Sequence, residues 1–419
     1  MKLSSKKILK FILYGILTFI GLIFLLLLII GFTIRYEDGT FDRWSGLRAI
    51  FDKDRDFGVF LNQEVKYELN GIDGPYLVDS MIYRVDSTNN LIEKTYKSAD
   101  SIPVQVNNND SDKFYFHKKD SIRLNPSSYP MPEKLIAISD IEGNFDGFSS
   151  FLISNNVIDK NYNWTFTNGH LVLVGDFVDR GNNVIPVLWL IYKLEAEAEK
   201  QGGKVHYILG NHEIMNFQGS YQYNNKKYVK VSELIYEKNH IDSISINKKN
   251  AVKFMYSYRT ELGKWLHSKN GIEKIGDYLF VHAGLSPKVL EHNLSIDQIN
   301  NIVRNNCDKD LYNKPEDNKI ANFLIGKEGI FWYRGLAADY KYYDKIREDQ
   351  LDKILNFYQA KKIIFGHTVV DDITKEFDGR AINLDVKHGQ EKNTGKTKGV
   401  LVERRTEYRI NDNGIKTKF

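Results

Sequence analysis

Apolar positions fall into three textures along the 419-residue chain. Residues 11–34, FILYGILTFIGLIFLLLLIIGFTI, contain no charge and predict one continuous helix. From 35 to 130, short runs such as GVFLNQEVKYEL and YLVDSMIYRV alternate with polar turn clusters (NGIDG, DSTNN, NNNDSD). This pattern predicts a β-rich juxtamembrane region of strands and loops with little helix. From Lys134 onward, apolar strand-like runs alternate with helical stretches. The strands are expected at 134–139, 170–175, 204–209, 278–284 and 362–367, and the helices at 184–200, 295–306 and around 344–360. Such alternation argues for an α/β core of parallel-type strands. Residues 217–256, rich in Tyr, Asn and Lys, interrupt the rhythm as an insertion, and the tail predicts a β-hairpin around NDNG. The expected organisation is a basic flank (1–10), an anchor (11–34), the β-rich region (35–130), a catalytic domain (131–390) and a C-terminal hairpin (391–419).

At ~1.5 Å per residue, the 24 residues of 11–34 are long enough to cross a hydrocarbon core of ~30 Å with some tilt. A cleaved signal peptide usually has a shorter apolar core and a small-residue cleavage site, and neither is found here. A retained transmembrane helix is therefore the expectation. Lys2, Lys6, Lys7 and Lys10 precede it, while Arg35, Arg43 and Arg48 follow. That bias places the N-terminus in the cytoplasm and the catalytic domain on the exported, periplasmic side. A cytoplasm-facing catalytic domain is the alternative.

Charge narrows the partners. There are 58 basic and 54 acidic residues, and the surplus of four equals the lysines of the leader. A chain balanced everywhere else lacks the basic footprint of a nucleic-acid binder, so none is expected. The single cysteine, Cys307, excludes an internal disulfide and a cysteine-rich metal site.

The chemistry sits at the ends of the strand-like runs, in SDIEGN (139–144), GDFVDRG (175–181), GNHE (210–213), HAGLSP (282–287) and GHT (366–368). Taken singly, each is an ordinary turn. In α/β sheets, ligand-binding residues gather on loops at the carboxyl ends of strands. Five such loops in order would bring Asp140, Glu142, Asp176, Asn211, His282 and His367 to one edge. Carboxylates, an amide oxygen and two imidazoles suit divalent Mn, Fe or Zn better than Ca.

In these motifs the chain resembles the metallophosphoesterase (calcineurin-like) superfamily, and within it the bacterial branch of phosphoprotein-phosphatase type. The resemblance spans roughly 131–390 and is most specific in GDFVDRG and GNHE. It implies a four-layer αββα sandwich and two divalent metal ions, manganese first, with iron, zinc or magnesium as alternatives. Asp176 would bridge the two ions. Asp140 and Glu142 would hold one, and Asn211, His282 and His367 the other. Arg180 would grip the phosphate, His212 would be the general acid with Asp179 orienting its ring, and Arg334 in FWYRG would be a second phosphate-binding arginine. The implied reaction is phosphomonoester hydrolysis by a hydroxide held between the metals, on a small phosphoester or on protein phosphoserine, phosphothreonine or phosphotyrosine.

The chain departs from the family pattern at Glu142, which stands where the family has His, at Ser139, which replaces a Gly, and after GHT, where Val369 replaces a second His. Glu142 shifts preference toward harder metals such as Mn or Mg. The alternatives are a dinucleoside polyphosphate hydrolase of the same branch and a non-catalytic binding module that has lost one metal. Within the insertion, Tyr221, Tyr223, Tyr228, Lys226 and Lys227 could line a pocket entrance or form a polar surface loop.

Overall fold

The computed structural model describes residues 5–35, 41–51, 57–61, 72–97, 99–240, 247–309 and 318–419. These divide into two compact units, Met1–Glu68 and Leu69–Phe419. The first holds helix α1 (Ser5–Ile30) and a small antiparallel sheet of β1 (Phe32–Arg35), β2 (Phe41–Trp44) and β3 (Val59–Phe60). Of the expected strand run at 58–69, residues 62–69 lie outside the described residues. The window Leu13–Ile30 of α1 has a mean hydropathy of 2.9 and is 0% buried, so it presents an apolar surface on every side.

The second unit opens on the antiparallel strands β4 (Asp73–Val78), β5 (Met81–Val85) and β6 (Leu91–Thr95), then the pair β7 (Ile102–Gln105) and β8 (Lys113–Phe116). These strands pack onto the rest of the unit. Phe116 stacks on Trp189 with ring centroids 4.0 Å apart, and the Trp189 indole donates to the Pro75 carbonyl at 2.8 Å.

Two six-stranded sheets form the centre. The strands in chain order are β9 (Ser128–Tyr129), β10 (Lys134–Ile138), β11 (His170–Val174), β12 (Lys204–Ile208), β13 (Ile272–Ile275), β14 (Tyr278–Val281), β15 (Lys362–Phe365), β16 (Thr374–Glu376), β17 (Ala381–Asn383), β18 (Lys398–Glu403), β19 (Thr406–Asn411) and β20 (Lys416–Lys418). The first sheet runs β12-β11-β10-β18-β19-β20 and the second β16-β17-β15-β14-β13-β9. Alternate residues of each sheet, Leu135, Ala137, Val172 and Val400 on one and Phe280, Ile364 and Ile382 on the other, form one buried cluster. The period of two along each strand thus turns one face of each sheet inward, as sheet-on-sheet packing requires.

Helices cover the unit: α2 (Phe145–Ser154), α3 (Val184–Lys200), α4 (Asn211–Phe217), α5 (Lys226–Asn239), α6 (Lys248–Met255), α7 (Glu261–His267), α8 (Ile296–Asn306), α9 (Lys319–Ile325) and α10 (Glu348–Phe357). α3 is buried from Val184 to Glu195 because it lies between β12 and the strands β4, β7 and β8, which is why its sequence is apolar all round.

Two sequence expectations are refined. The tail holds more than the expected hairpin: β19 and β20 do flank NDNG, and β18 before them pairs antiparallel with β10, so the tail extends the first sheet. In the insertion the two readings divide: Tyr221 and Tyr223 lie in an exposed turn before α5, where Tyr223 lines a groove beside Trp332 and Arg334, and the rest is helical. Its described part folds into α5 and α6, with Tyr228, Val231 and Ile235 buried along one face of α5. Lys227 lines no entrance, because its ammonium group is buried against Asp73 Oδ2 at 2.6 Å. Residues 241–246 of the insertion lie outside the described residues.

Candidate active site

All five motif loops leave the carboxyl ends of their strands. Main-chain bonds lace the first two together: Asp140 N–H donates to the Gly175 carbonyl at 3.0 Å, Glu142 N–H to Asp176 at 2.9 Å and Gly143 N–H to Phe177 at 3.1 Å. Two glycines allow the loops to close this tightly. A Cβ on Gly210 would sit 2.1 Å from Asp176 Oδ1, and one on Gly366 would sit 2.2 Å from Asp140 Oδ2.

The backbone is strained where the chemistry is expected. Asp140, Glu142, Asp176, Asp179, Arg180 and His367 all adopt left-handed φ values between 49° and 72°. Non-glycine residues rarely populate that region, and such strain clusters at functional sites.

Asp176 is the hub. Its Oδ1 accepts the His212 N–H at 2.9 Å, and its Oδ2 lies 3.1 Å from His282 Nε2 and 3.7 Å from His212 Nε2. Asp176, His282 and His367 form one group of possible ligands, and Glu142, Asp176 and His212 another, with the ligand atoms of each group within 4.8 Å of one another. Asn211 Oδ1 lies 2.8 Å from His282 Nε2, and Asp140 Oδ2 accepts the His367 N–H at 3.2 Å. Thus all six expected metal ligands meet at one edge. The second group differs from expectation in holding His212 where Asp140 was anticipated.

This donor set fits a cation. His367 Nε2 is buried with no hydrogen-bond partner, beside a carboxylate and a second imidazole. A buried nitrogen left unpaired is costly unless something occupies its lone pair. Burial disfavours ionised Asp176, yet the His282 and His212 imidazoles outweigh it and hold the carboxyl below its usual range. His282 is pushed up to about 10: burial opposes its charge, and Asp176 prevails. Burial raises Asp140 to about 6 and Glu142 to about 7.

A dyad adjoins the hub. His212 Nδ1 lies 2.6 Å from Asp179 Oδ2, which leaves Nε2 facing Asp176. Burial opposes a charge on His212, but Asp176 and Asp179 together raise it to about 9. Asp179 Oδ1 accepts from Asn216 Nδ2 at 2.8 Å and from Asn224 Nδ2 at 2.6 Å. Arg180 forms an ion pair with Glu142 and reaches His212 Nε2 at 3.4 Å through Nη2. Arg334 stands at the rim, its Nη1 donating to the His367 carbonyl at 2.9 Å.

Sequence reasoning missed several participants. Glu213, fully buried, accepts from the Asp176, Phe177 and Gly210 N–H groups and from the Tyr207 hydroxyl at 2.6–3.0 Å, binding the GDF turn to the GNH turn. Its place inside GNHE was the available signal. Asn224 comes from the insertion, where nothing in the local pattern distinguishes it; Tyr223, expected only as a possible pocket-lining residue, sets its ring 5.1 Å from that of His212. Asp385 is buried beyond β17, its carboxyl held well above its usual range by burial and by Asp140 and Glu142.

Comparison with known proteins follows the same outline. The calcineurin-like phosphoesterase family model matches residues 133–371. Shewanella-like protein phosphatase 1 of Plasmodium berghei is 31% identical over 265 residues, 61% of this chain and 65% of that protein, so the chain spans slightly less than two thirds of that relative. Shewanella-like protein phosphatase 2 of Arabidopsis thaliana is 26% identical over 290 residues, 62% of this chain and 72% of that one. Among solved structures, the cold-active protein-tyrosine phosphatase of a psychrophilic Shewanella species is similar with a TM-score of 0.70 and 28% identity, covering 83% of this chain and 99% of that chain.

Proposed function

The chain belongs to the calcineurin-like phosphoesterase family; from that premise we propose that it is a metal-dependent hydrolase of phosphoesters, a membrane-anchored phosphomonoesterase acting on phosphoprotein, with two divalent ions at the Asp176 cluster. The observation that carries this reading is the unpartnered His367 Nε2 beside Asp176, set against the Asp179–His212 dyad on the far side of the same carboxylate. Manganese suits the carboxylate-rich half of the site, with iron, zinc or magnesium as alternatives. When bound, such ions supply a hydroxide nucleophile near neutral pH and neutralise phosphoryl charge.

The chain's own residues do the rest. Asp140, Glu142 and Asp176 would hold one ion, and Asp176, Asn211, His282 and His367 the other. Arg180, kept close to the hub by Glu142, releases that carboxylate to fork onto two phosphoryl oxygens. His212 carries a proton on Nε2 and delivers it to the departing alkoxide, while Asp179 holds the ring and stabilises its charge. Arg334 steadies the phosphate from the rim. The Shewanella neighbour, a protein-tyrosine phosphatase, supports phosphotyrosine as a substrate beside phosphoserine and phosphothreonine. Residues 11–34 would anchor the chain, with the catalytic unit exported.

The test follows p-nitrophenyl phosphate after chelation and re-addition of Mn, Mg, Fe or Zn, beside Asp176→Asn and His212→Asn. Turnover should return with metal and disappear in Asp176→Asn. His212→Asn should lose ~10²–10⁴-fold, and more on phenyl phosphate, whose poorer leaving group needs the proton. A folded protein that holds one metal or none and turns over nothing would instead be a binding module.

A further inference from the structure

Three consecutive residues of the insertion close onto the loop that carries the Asp179–His212 dyad. Their turn is set by the Asn224 N–H, which donates to the Tyr221 carbonyl at 3.0 Å. From it the Tyr223 carbonyl accepts the Arg180 N–H at 2.9 Å. Asn224 Nδ2 donates to Asp179 Oδ1 at 2.6 Å, and Asn225 Nδ2 to Asn182 Oδ1 at 2.6 Å. Just inside α5, the Tyr228 hydroxyl donates to the Asn182 carbonyl at 2.9 Å. These partners meet the loop where its backbone is strained, since Asp179 and Arg180 have φ of 72° and 54°. Such conformations persist only where the surroundings over-determine them.

The grip on Asp179 is a closed triangle. Asn216, one turn along α4 from His212, donates through Nδ2 to Asp179 Oδ1 at 2.8 Å and to the His212 carbonyl at 2.9 Å. Asn224 Nδ2 completes the triangle by donating also to Asn216 Oδ1 at 2.9 Å. A carboxylate oxygen offers two lone pairs, so the two amides fill Oδ1 while Oδ2 faces His212 Nδ1 at 2.6 Å. With both oxygens engaged, the carboxyl plane is fixed, and so is the ring it aims. Asn216 shares α4 with His212 and moves with it, whereas Asn224 brings a reference from outside that helix. The Tyr223 ring closes the same side, 5.1 Å from the His212 ring and 5.7 Å from the Arg180 guanidinium carbon.

We infer that Asn224 is a positioning residue of the proton transfer: its amide fixes the Asp179 carboxylate, and through it the direction in which His212 Nε2 presents a proton to the leaving oxygen. The inference rests on the phosphatase reading above and adds to it a role for the insertion. In the step concerned, the P–O bond to the leaving group breaks as that oxygen takes the Nε2 proton. The ring is left neutral, with its Nδ1 proton facing Asp179. A misaimed acid loses most where the leaving oxygen most needs the proton, so the loss should be graded by leaving group. A turn that merely braced the loop would instead affect every ester alike.

The experiment uses the full chain with metal and compares p-nitrophenyl phosphate with phenyl phosphate, the poorer leaving group. Asn224→Ala, and Asn224→Leu, which nearly keeps the volume but not the donor, should lower kcat on phenyl phosphate by about 10–100-fold with little change in KM. The loss on p-nitrophenyl phosphate should be several-fold smaller. In a chain already carrying Asp179→Asn, adding Asn224→Ala should cost no more than about twofold, because both changes break one linkage. Equal losses on the two esters overturn the inference, as does a rise in KM shared by both, which would mean that the turn had released Arg180. A full additional loss on top of Asp179→Asn overturns it too, and so does a loss of bound metal in both Asn224 variants. No turnover of either ester by the unsubstituted chain with any metal sinks the phosphatase reading itself, and the positioning role falls with it.

Discussion

Gly210 shows how one side chain's absence shapes the site. The carbon of Gly210→Ala would arrive 2.1 Å from Asp176 Oδ1 and 2.6 Å from its amide nitrogen, so the hub carboxylate must move. Overpacking of this kind costs about 1–3 kcal/mol. Gly210→Ala should remain folded by circular dichroism while losing bound metal per chain and turnover together; metal content equal to that of the unsubstituted chain would show that the hub tolerates displacement. A second residue-scale prediction lies at the other end of the strands. His206 is fully buried between Glu273, 2.6 Å from its Nδ1, and His170, 2.9 Å from its Nε2. Burial, aided by His206 and Lys204, lowers His170 to about 4. The unfolded chain, with its histidines near 6.5, binds the extra proton first as pH falls. The stability from neutral His170 is therefore fully present above about pH 6.5 and lost as pH falls through about 4. Thermal midpoints of the full chain should fall between pH 7 and 4.5, and less steeply in His170→Gln; parallel slopes would rule this histidine out. At this scale the gathering of the candidate ligands was legible, because strand-end carboxylates and imidazoles at Gly-rich turns are a local pattern. Most of Glu213's four hydrogen bonds and the Asp179–Asn224 contact were not, since all but the Gly210 bond join residues 6 to 45 positions apart.

Among elements, the strands and helices with strong periodicity matched their expected places. α3 spans Val184–Lys200 as read from its apolar run, and α8 begins after Ser295, whose hydroxyl caps the Gln298 N–H in a capping box with the Gln298 side chain. The insertion deceived because Tyr, Asn and Lys suggest a surface loop, although Tyr228, Val231 and Ile235 recur at helical spacing. The tail deceived for another reason: a hairpin's pattern says nothing of its neighbour. β18 pairs Leu135 with Val402 and Ala137 with Val400, and both valines are 0% exposed in the layer between the sheets. Burying a valine contributes about 1.5–3 kcal/mol, and the loss of β18 would also bare the edge of β10. A chain ending at Lys396 should therefore accumulate as insoluble protein. Soluble, metal-binding material of that length would show that the first sheet can close without its three terminal strands.

For the molecule as a whole, the exposed apolar helix is the feature that sets its surroundings. A surface with mean hydropathy 2.9 over Leu13–Ile30 and 0% burial demands a nonpolar environment or removal. In cells the protein should stay in the membrane fraction through alkaline carbonate extraction and keep the mass of the full 419-residue chain. In spheroplasts, added protease should reach the catalytic unit. Recovery in the soluble fraction with residues 1–34 removed would make the segment a signal sequence, and protection from protease would place the catalytic unit in the cytoplasm.

The sequence by itself determined the apolar helix, the α/β rhythm, the residue types of the candidate site and the family, because each is written in short-range periodicity or in residues a few positions apart. Only the tertiary structure decided that the tail completes the first sheet, that β4, β7 and β8 pack on α3, and that the insertion supplies Asn224 to the Asp179–His212 dyad. It also set the left-handed backbone at Asp140, Asp176 and His367. Those contacts join segments far apart in the chain, and their energies depend on burial and distance, which exist only once the two sheets have closed on each other.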